Sequence, residues 1–124
     1  MAKILVVDDD PDFVEATRMV LEANGYEVAS AADGKEALAK MRQEKPDLVL
    51  LDIMMAHILE GLEVSKEMQA DVELRRVPII MVSSITDSPH AGEFPTDEYL
   101  PIDAWLSKPV QPANLLETVK RCLR

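Results

Sequence analysis

The sequence predicts an α/β fold, an open doubly wound parallel sheet of five strands with helices on both faces. Two observations carry this. Short aliphatic runs alternate along the chain with stretches whose apolar residues recur at helical spacing. The runs are apolar at nearly every position rather than every second one, as strands buried on both faces are. The alternation fits within 124 residues, enough for one domain with one core, and no repeat or linker interrupts it. A single domain over residues 1–124 is expected, with no output domain after its last helix.

Each element has a local reason. Lys3 to Val7 is the first strand, and Asp10-Pro11-Asp12 opens a helix with an N-cap acid, a proline at the first helical position and an acid in the first turn. Phe13, Thr17, Val20 and Leu21 share one face of that helix, and Asn24-Gly25 ends it, with Gly25 free to turn left-handed. Tyr26 to Ala31 reads as the second strand. Asp33 with Glu36 has capping-box spacing, and Ala37, Leu38 and Met41 supply the buried stripe of the helix it opens. Pro46 marks the end of that helix, and Asp47 to Leu51 is the third and most apolar strand, delivering Asp52 at its carboxyl end. Glu60 to Ala70 is the next helix, with Leu62, Val64 and Met68 inward, followed by a strand over Val77 to Val82. Pro89, Pro95 and Pro101 break the stretch from Ser84 to Pro101, so an atypical or shortened fourth helix is expected there. Ala104 to Ser107 is a short fifth strand, and Pro112 opens a last helix with Leu115, Leu116, Val119, Cys122 and Leu123 on one face.

Composition excludes several classes of function. The net charge of −10 repels nucleic acid phosphates and anionic lipid, so no direct nucleic acid or membrane partner is expected. The apolar runs are too short to span a bilayer, and acids begin at Asp8 where the apolar core of a signal peptide would continue. A single cysteine, Cys122, allows no internal disulfide. A cytoplasmic location is the expectation.

The chemistry gathers at strand ends. In open α/β sheets, ligands bind outside the carboxyl ends of the strands, where strand order reverses. Here those ends carry Asp8, Asp9 and Asp10, then Asp52, then Ser83 and Ser84, then Lys108-Pro109. Clustered carboxylates repel one another, and a hard divalent cation relieves that repulsion; Mg²⁺ takes oxygen ligands and keeps several waters. A carboxylate is also a competent nucleophile toward phosphorus. The incoming group then needs positive charge and a hydrogen-bond donor, which the metal, Lys108 and Ser83 could supply. Asp10 is most simply an N-cap. Ser83 or Lys108 alone would be an ordinary loop hydroxyl and a solvated lysine; position at adjacent strand ends is what singles them out.

The segments KILVVDDDP, PDLVLLDIMM, VPIIMVSS and AWLSKP closely resemble, in order and spacing, the signature segments of the bacterial response-regulator receiver family. The resemblance covers essentially the whole chain. It implies a (βα)5 flavodoxin-like fold with strand order 2-1-3-4-5 and a place in two-component phosphorelay signalling. Asp52 would accept a phosphoryl group from a phosphohistidine of a sensor histidine kinase or phosphotransfer protein. The metal, Mg²⁺ or another divalent cation such as Mn²⁺, would be held by Asp8, Asp9, Asp52 and the backbone carbonyl of Met54, with Asp9 the more direct ligand of the acid pair. Lys108 would bind the phosphate, and the Lys108-Pro109 bond would be cis. Ser83 and Trp105 would be the switch hydroxyl and aromatic, coupling phosphorylation to a downstream protein target. The chain would not be an enzyme beyond its own phosphoryl transfer. Met54 and Ile85, apolar at positions that influence the hydrolytic water in the family, imply slow self-dephosphorylation.

Three features depart from the family pattern. The loop IMMAHILEG after Asp52 lacks the usual proline and is one residue longer, the segment from Ser83 to Lys108 is longer and proline-broken, and Trp105 replaces the more usual tyrosine. The competing readings are an interaction-only receiver that works without phosphorylation, a flavin-binding protein and an aspartate-nucleophile phosphatase. The complete set Asp8, Asp9, Asp52, Ser83 and Lys108 opposes the first. An acidic rather than glycine-rich first loop opposes the second. Met54 opposes the third, because it stands where the phosphatase carries a second aspartate.

Overall fold

The computed structural model describes residues 2–52, 60–83 and 104–123. Its elements in chain order are β1 (Lys3–Val7), α1 (Pro11–Ala23), β2 (Glu27–Ala31), α2 (Gly34–Glu44), β3 (Leu48–Asp52), α3 (Glu60–Ala70), β4 (Ile79–Ser83), β5 (Ala104–Ser107) and α4 (Pro112–Cys122). The five strands are all parallel and lie in the order β2-β1-β3-β4-β5, as expected. The atypical fourth helix expected between β4 and β5 lies outside the described residues, as do Met54, Ile85 and the side chains of Leu62 and Ser83.

Side-chain alternation divides the interior in two. Odd-numbered residues of the central strands, Leu5, Val7, Val49, Leu51, Ile79 and Met81, pack with Ala37 and Met41 of α2 and Val64 and Met68 of α3. Even-numbered residues, Ile4, Val6, Leu48, Leu50, Ile80 and Val82, pack with Leu21 of α1 and Leu115 and Val119 of α4. A strand enclosed on both faces must be apolar at every position, which is why these runs do not alternate with polar residues. The edge strand β2 is only partly buried over most of its length.

Three strands start later than the apolar pattern suggests, each for a local reason. The Tyr26 backbone N–H donates to the Leu21 carbonyl at 3.1 Å, so Tyr26 closes α1 instead of opening β2. The Asp47 N–H donates to the Lys3 carbonyl at 2.7 Å, and its carboxylate accepts the Lys3 N–H at 2.8 Å, a clamp just ahead of β3. Val77 donates to Leu74 at 3.0 Å and completes a turn before β4.

The caps follow the sequence closely. The Asp10 carboxylate accepts the Asp12 N–H at 3.0 Å, and Asp33 accepts the Glu36 N–H at 2.8 Å. The reciprocal arm of the capping box lands one residue early, with Glu36 accepting the Ala32 N–H at 2.7 Å. Lys45, ahead of Pro46, is barred from continuing α2 and turns left-handed at φ 51°, where glycine would be the easier residue. Gly25 sits at φ +90° with nothing within 4 Å of where a Cβ would stand. Its requirement is therefore conformational, not steric. Gly25→Ala should cost about 1 kcal/mol, seen as a lower urea midpoint with an unchanged m-value.

Candidate functional site

Strand order reverses between β1 and β3. From β1 the chain runs outward to β2 and then crosses back to β3, which opens a crevice at the carboxyl ends of β1 and β3. Asp8 and Asp52 stand there. Both are even-numbered, in phase with the strand residues that face α1 and α4. They are also buried, with Asp8 2 % and Asp52 5 % exposed. Carboxylates are rarely this enclosed without a partner.

Asp8 is fixed on both sides. Its backbone N–H donates to Ala31 at 3.0 Å, tying the end of β1 to β2, and its Oδ1 accepts the Asp10 N–H at 2.9 Å. Its Oδ2 lies 2.8 Å from Lys108 Nζ. That contact is an ion pair by distance but not by direction, because the buried Oδ2 has no aligned hydrogen bond. Lys108 directly follows β5 and precedes a cis Lys108-Pro109 bond, with Nζ 3.9 Å from Asp52 Oδ2 and 4.5 Å from the centroid of the Phe13 ring. The ammonium thus stands among two carboxylates and an aromatic face.

Asp9 is exposed and completes the acid cluster. Oxygens of Asp8, Asp9 and Asp52 all lie within 4.8 Å of one another. This donor set fits a hard divalent cation on two grounds. All three ligands are carboxylate oxygens, and a buried Asp8 oxygen lacks an aligned donor. Three carboxylates also outnumber the one ammonium that the described residues bring to them. A crevice of about 490 Å³ lined by Asp8, Asp9, Glu15, Ser30 and Glu36 lies beside the first two of these acids, on the β2 side. Asp10 stays outside it and caps α1.

The opposite rim of the sheet is arranged differently. Lys3 Nζ lies 2.8 Å from Glu44 and 3.9 Å from Glu27. The hydrogen bond from Lys3 holds the Glu44 carboxyl below its ordinary range and raises the Lys3 ammonium above its own. Glu27 is exposed and Glu44 partly so, and the two share a lysine; the acids at the carboxyl rim are mostly buried and crowd one another.

A model of the response regulator receiver domain family matches residues 4–120. The chain belongs to that family. Among curated relatives, this receiver domain is 36% identical to the DNA-binding response regulator MtrA of Mycolicibacterium smegmatis, over 98% of this chain and 50% of the relative. It is 35% identical to the protein PilH of Pseudomonas aeruginosa, over 99% of this chain and 98% of the relative. The receiver therefore spans about half the length of MtrA and nearly all of PilH. Among solved structures, the Vibrio cholerae chemotaxis protein CheY4 superposes with a TM-score of 0.84 at 34% identity, covering 99% of each chain.

The structure brings together Asp8, Asp9, Asp52 and Lys108 from the expected set. Ser83 ends β4 in register with Ser107, one position past the Val82 that pairs with Asp52, so its backbone stands at the same rim. Trp105 pairs with Met81 in the ladder and packs half-buried against the α2/α3 side of the core. Sequence reasoning placed Phe13 in the apolar stripe of α1 but missed its contact with Lys108. Helical periodicity says which face a residue occupies and nothing about which distant lysine reaches it.

Proposed function

We propose that this receiver domain accepts a phosphoryl group on Asp52 in a two-component phosphorelay. The observation that carries the reading is the convergence of three carboxylates and one ammonium at the reversal point of the parallel sheet. The donor is a phosphohistidine of a sensor histidine kinase or a phosphotransfer protein. An Asp52 carboxylate oxygen forms the new P–O bond as the P–N bond breaks; the electron pair stays on the imidazole nitrogen, which takes up a proton from water. Asp8, Asp9, Asp52 and the Met54 carbonyl would hold Mg²⁺ or Mn²⁺, which supplies positive charge to the phosphoryl oxygens. Lys108, with Nζ 3.9 Å from Asp52 Oδ2, offers a second positive charge. Burial of Asp52 keeps bulk water off the acyl phosphate, and the apolar Met54 and Ile85 support slow hydrolysis. The domain turns over no other substrate and is not otherwise an enzyme.

Output follows from the bond that forms. The phosphoryl group draws the Ser83 hydroxyl inward, and Trp105 follows into the vacated space, altering the surface read by a downstream protein target. The net charge of −10 favours a protein over nucleic acid as the direct contact of this chain. No described helix is long and apolar enough to cross a membrane, in keeping with a cytoplasmic relay.

The test incubates the purified chain with phosphoramidate and MgCl₂. One phosphate should be gained, mapped to Asp52 by peptide mass spectrometry, and excess EDTA should prevent the gain. Trp105 is the one tryptophan, so its fluorescence reports the switch separately. Labelling of a different residue, or full labelling in EDTA, would overturn the reading.

A further inference from the structure

The geometry points to Phe13 as a positioning residue for the proposed phosphoryl transfer, its ring the platform that holds the Lys108 ammonium between Asp8 and Asp52. The inference rests on the acceptor reading and deepens it.

Two carboxylates compete for Lys108, and the competition is unequal. Nζ lies 2.8 Å from Asp8 Oδ2 but 3.9 Å from Asp52 Oδ2. Left to the ion pair alone, the lysine would be drawn toward Asp8 and away from the residue that must receive the phosphoryl group. The Asp8 contact also lacks hydrogen-bond alignment, so it attracts the ammonium without setting its direction. The Phe13 ring supplies a third contact at 4.5 Å, inside the distance at which a cation is held by an aromatic face. Because the Lys108 side chain is only 21% exposed, the ring replaces water that the ammonium would otherwise keep.

The platform has a property that the carboxylates lack. Its attraction does not change when Asp8 or Asp52 gains another partner, so the ammonium keeps one fixed neighbour while the charges around it change. Phe13 is itself anchored, lying early in α1 behind the Asp10 cap and packing against the Leu21 side of the core. A cation already in place when the phosphoryl oxygens arrive stabilises them without reorganisation. Phe13 also lines, with Ala16, Val20, Lys108, Val110 and Leu115, an open groove of about 520 Å³ between α1 and α4. Tyrosine keeps the aromatic face, so it should substitute.

The experiment compares wild type, Phe13→Leu and Phe13→Tyr. Leucine keeps apolar bulk but has no aromatic face. The initial rate of phosphate uptake from phosphoramidate with Mg²⁺ should fall about fivefold in Phe13→Leu, with the endpoint still one phosphate, and recover in Phe13→Tyr. In parallel, the Lys108 ε-methylene protons should show an upfield ring-current shift in wild type and Phe13→Tyr that Phe13→Leu abolishes. Equal rates for Phe13→Leu and wild type would overturn the inference. So would a Phe13→Tyr variant as slow as Phe13→Leu, or no ring-current shift in wild type. Wild type that takes no phosphate overturns the acceptor reading and with it the role in transfer, an outcome distinct from loss of the Leu–Tyr difference alone.

Discussion

Asp52→Asn is expected to take up no phosphate from any donor that labels the wild-type protein, and to be the more stable of the two. The first effect follows from chemistry, because an amide oxygen cannot form the acyl phosphate that a carboxylate oxygen forms. The second follows from the surroundings. Asp52 is buried, oxygens of Asp8 and Asp9 lie within 4.8 Å, and Lys108 is 3.9 Å away and closer to Asp8. Like charges at this range around a buried carboxylate repel one another, and Lys108 is shared between two of them. Removing one negative charge while keeping the shape should raise stability by roughly 1 kcal/mol or more. Urea denaturation in EDTA measures the second effect and mass spectrometry the first. A variant that is dead but less stable than wild type would mean that Asp52 is a net contributor to the fold. Activity and stability moving in opposite directions is the signature of a strained site.

Leu50→Ala and Leu51→Ala should each cost about 2–5 kcal/mol, and by similar amounts. In a half-buried strand one of two adjacent leucines would face water and its truncation would be nearly free. Here Leu50 is 1% exposed and packs with the α1/α4 side, while Leu51 is 0% exposed and packs with the α2/α3 side. Neither cavity can collapse easily, because β3 is hydrogen-bonded to β1 on one edge and β4 on the other. Against a typical domain stability of about 5–15 kcal/mol, either change removes a large share. Midpoints from chemical denaturation check the pair. A cost under about 1 kcal/mol at one position would contradict burial on both faces.

Much of the fold is legible because its causes are local. A doubly enclosed strand has to be apolar at consecutive positions, and Ile4–Val7 and Leu48–Leu51 are. Asp10 and Asp33 cap helices in the way their place before Pro11 and three residues before Glu36 suggests. The ends of β2, β3 and β4 were less legible, since Tyr26, Asp47 and Val77 are claimed by hydrogen bonds to Leu21, Lys3 and Leu74, not by any property of their own. The family resemblance reached further than periodicity, because strand order and the meeting of Asp9, Asp52 and Lys108 at one rim are carried by motifs rather than by local preference.

Residue order alone settled which groups stand at the carboxyl ends of strands, since an apolar run that stops at an acid or a lysine leaves that charge at the rim of the sheet. Tertiary structure decided how those charges share their surroundings. It brought the Asp8 oxygen to 2.8 Å from Lys108, left Asp52 at 3.9 Å, and set the ammonium over Phe13. The reason is physical: electrostatic energy depends on distances of a few ångströms and on how much water is excluded. Both quantities come into being only when separate strands and helices pack around the same point.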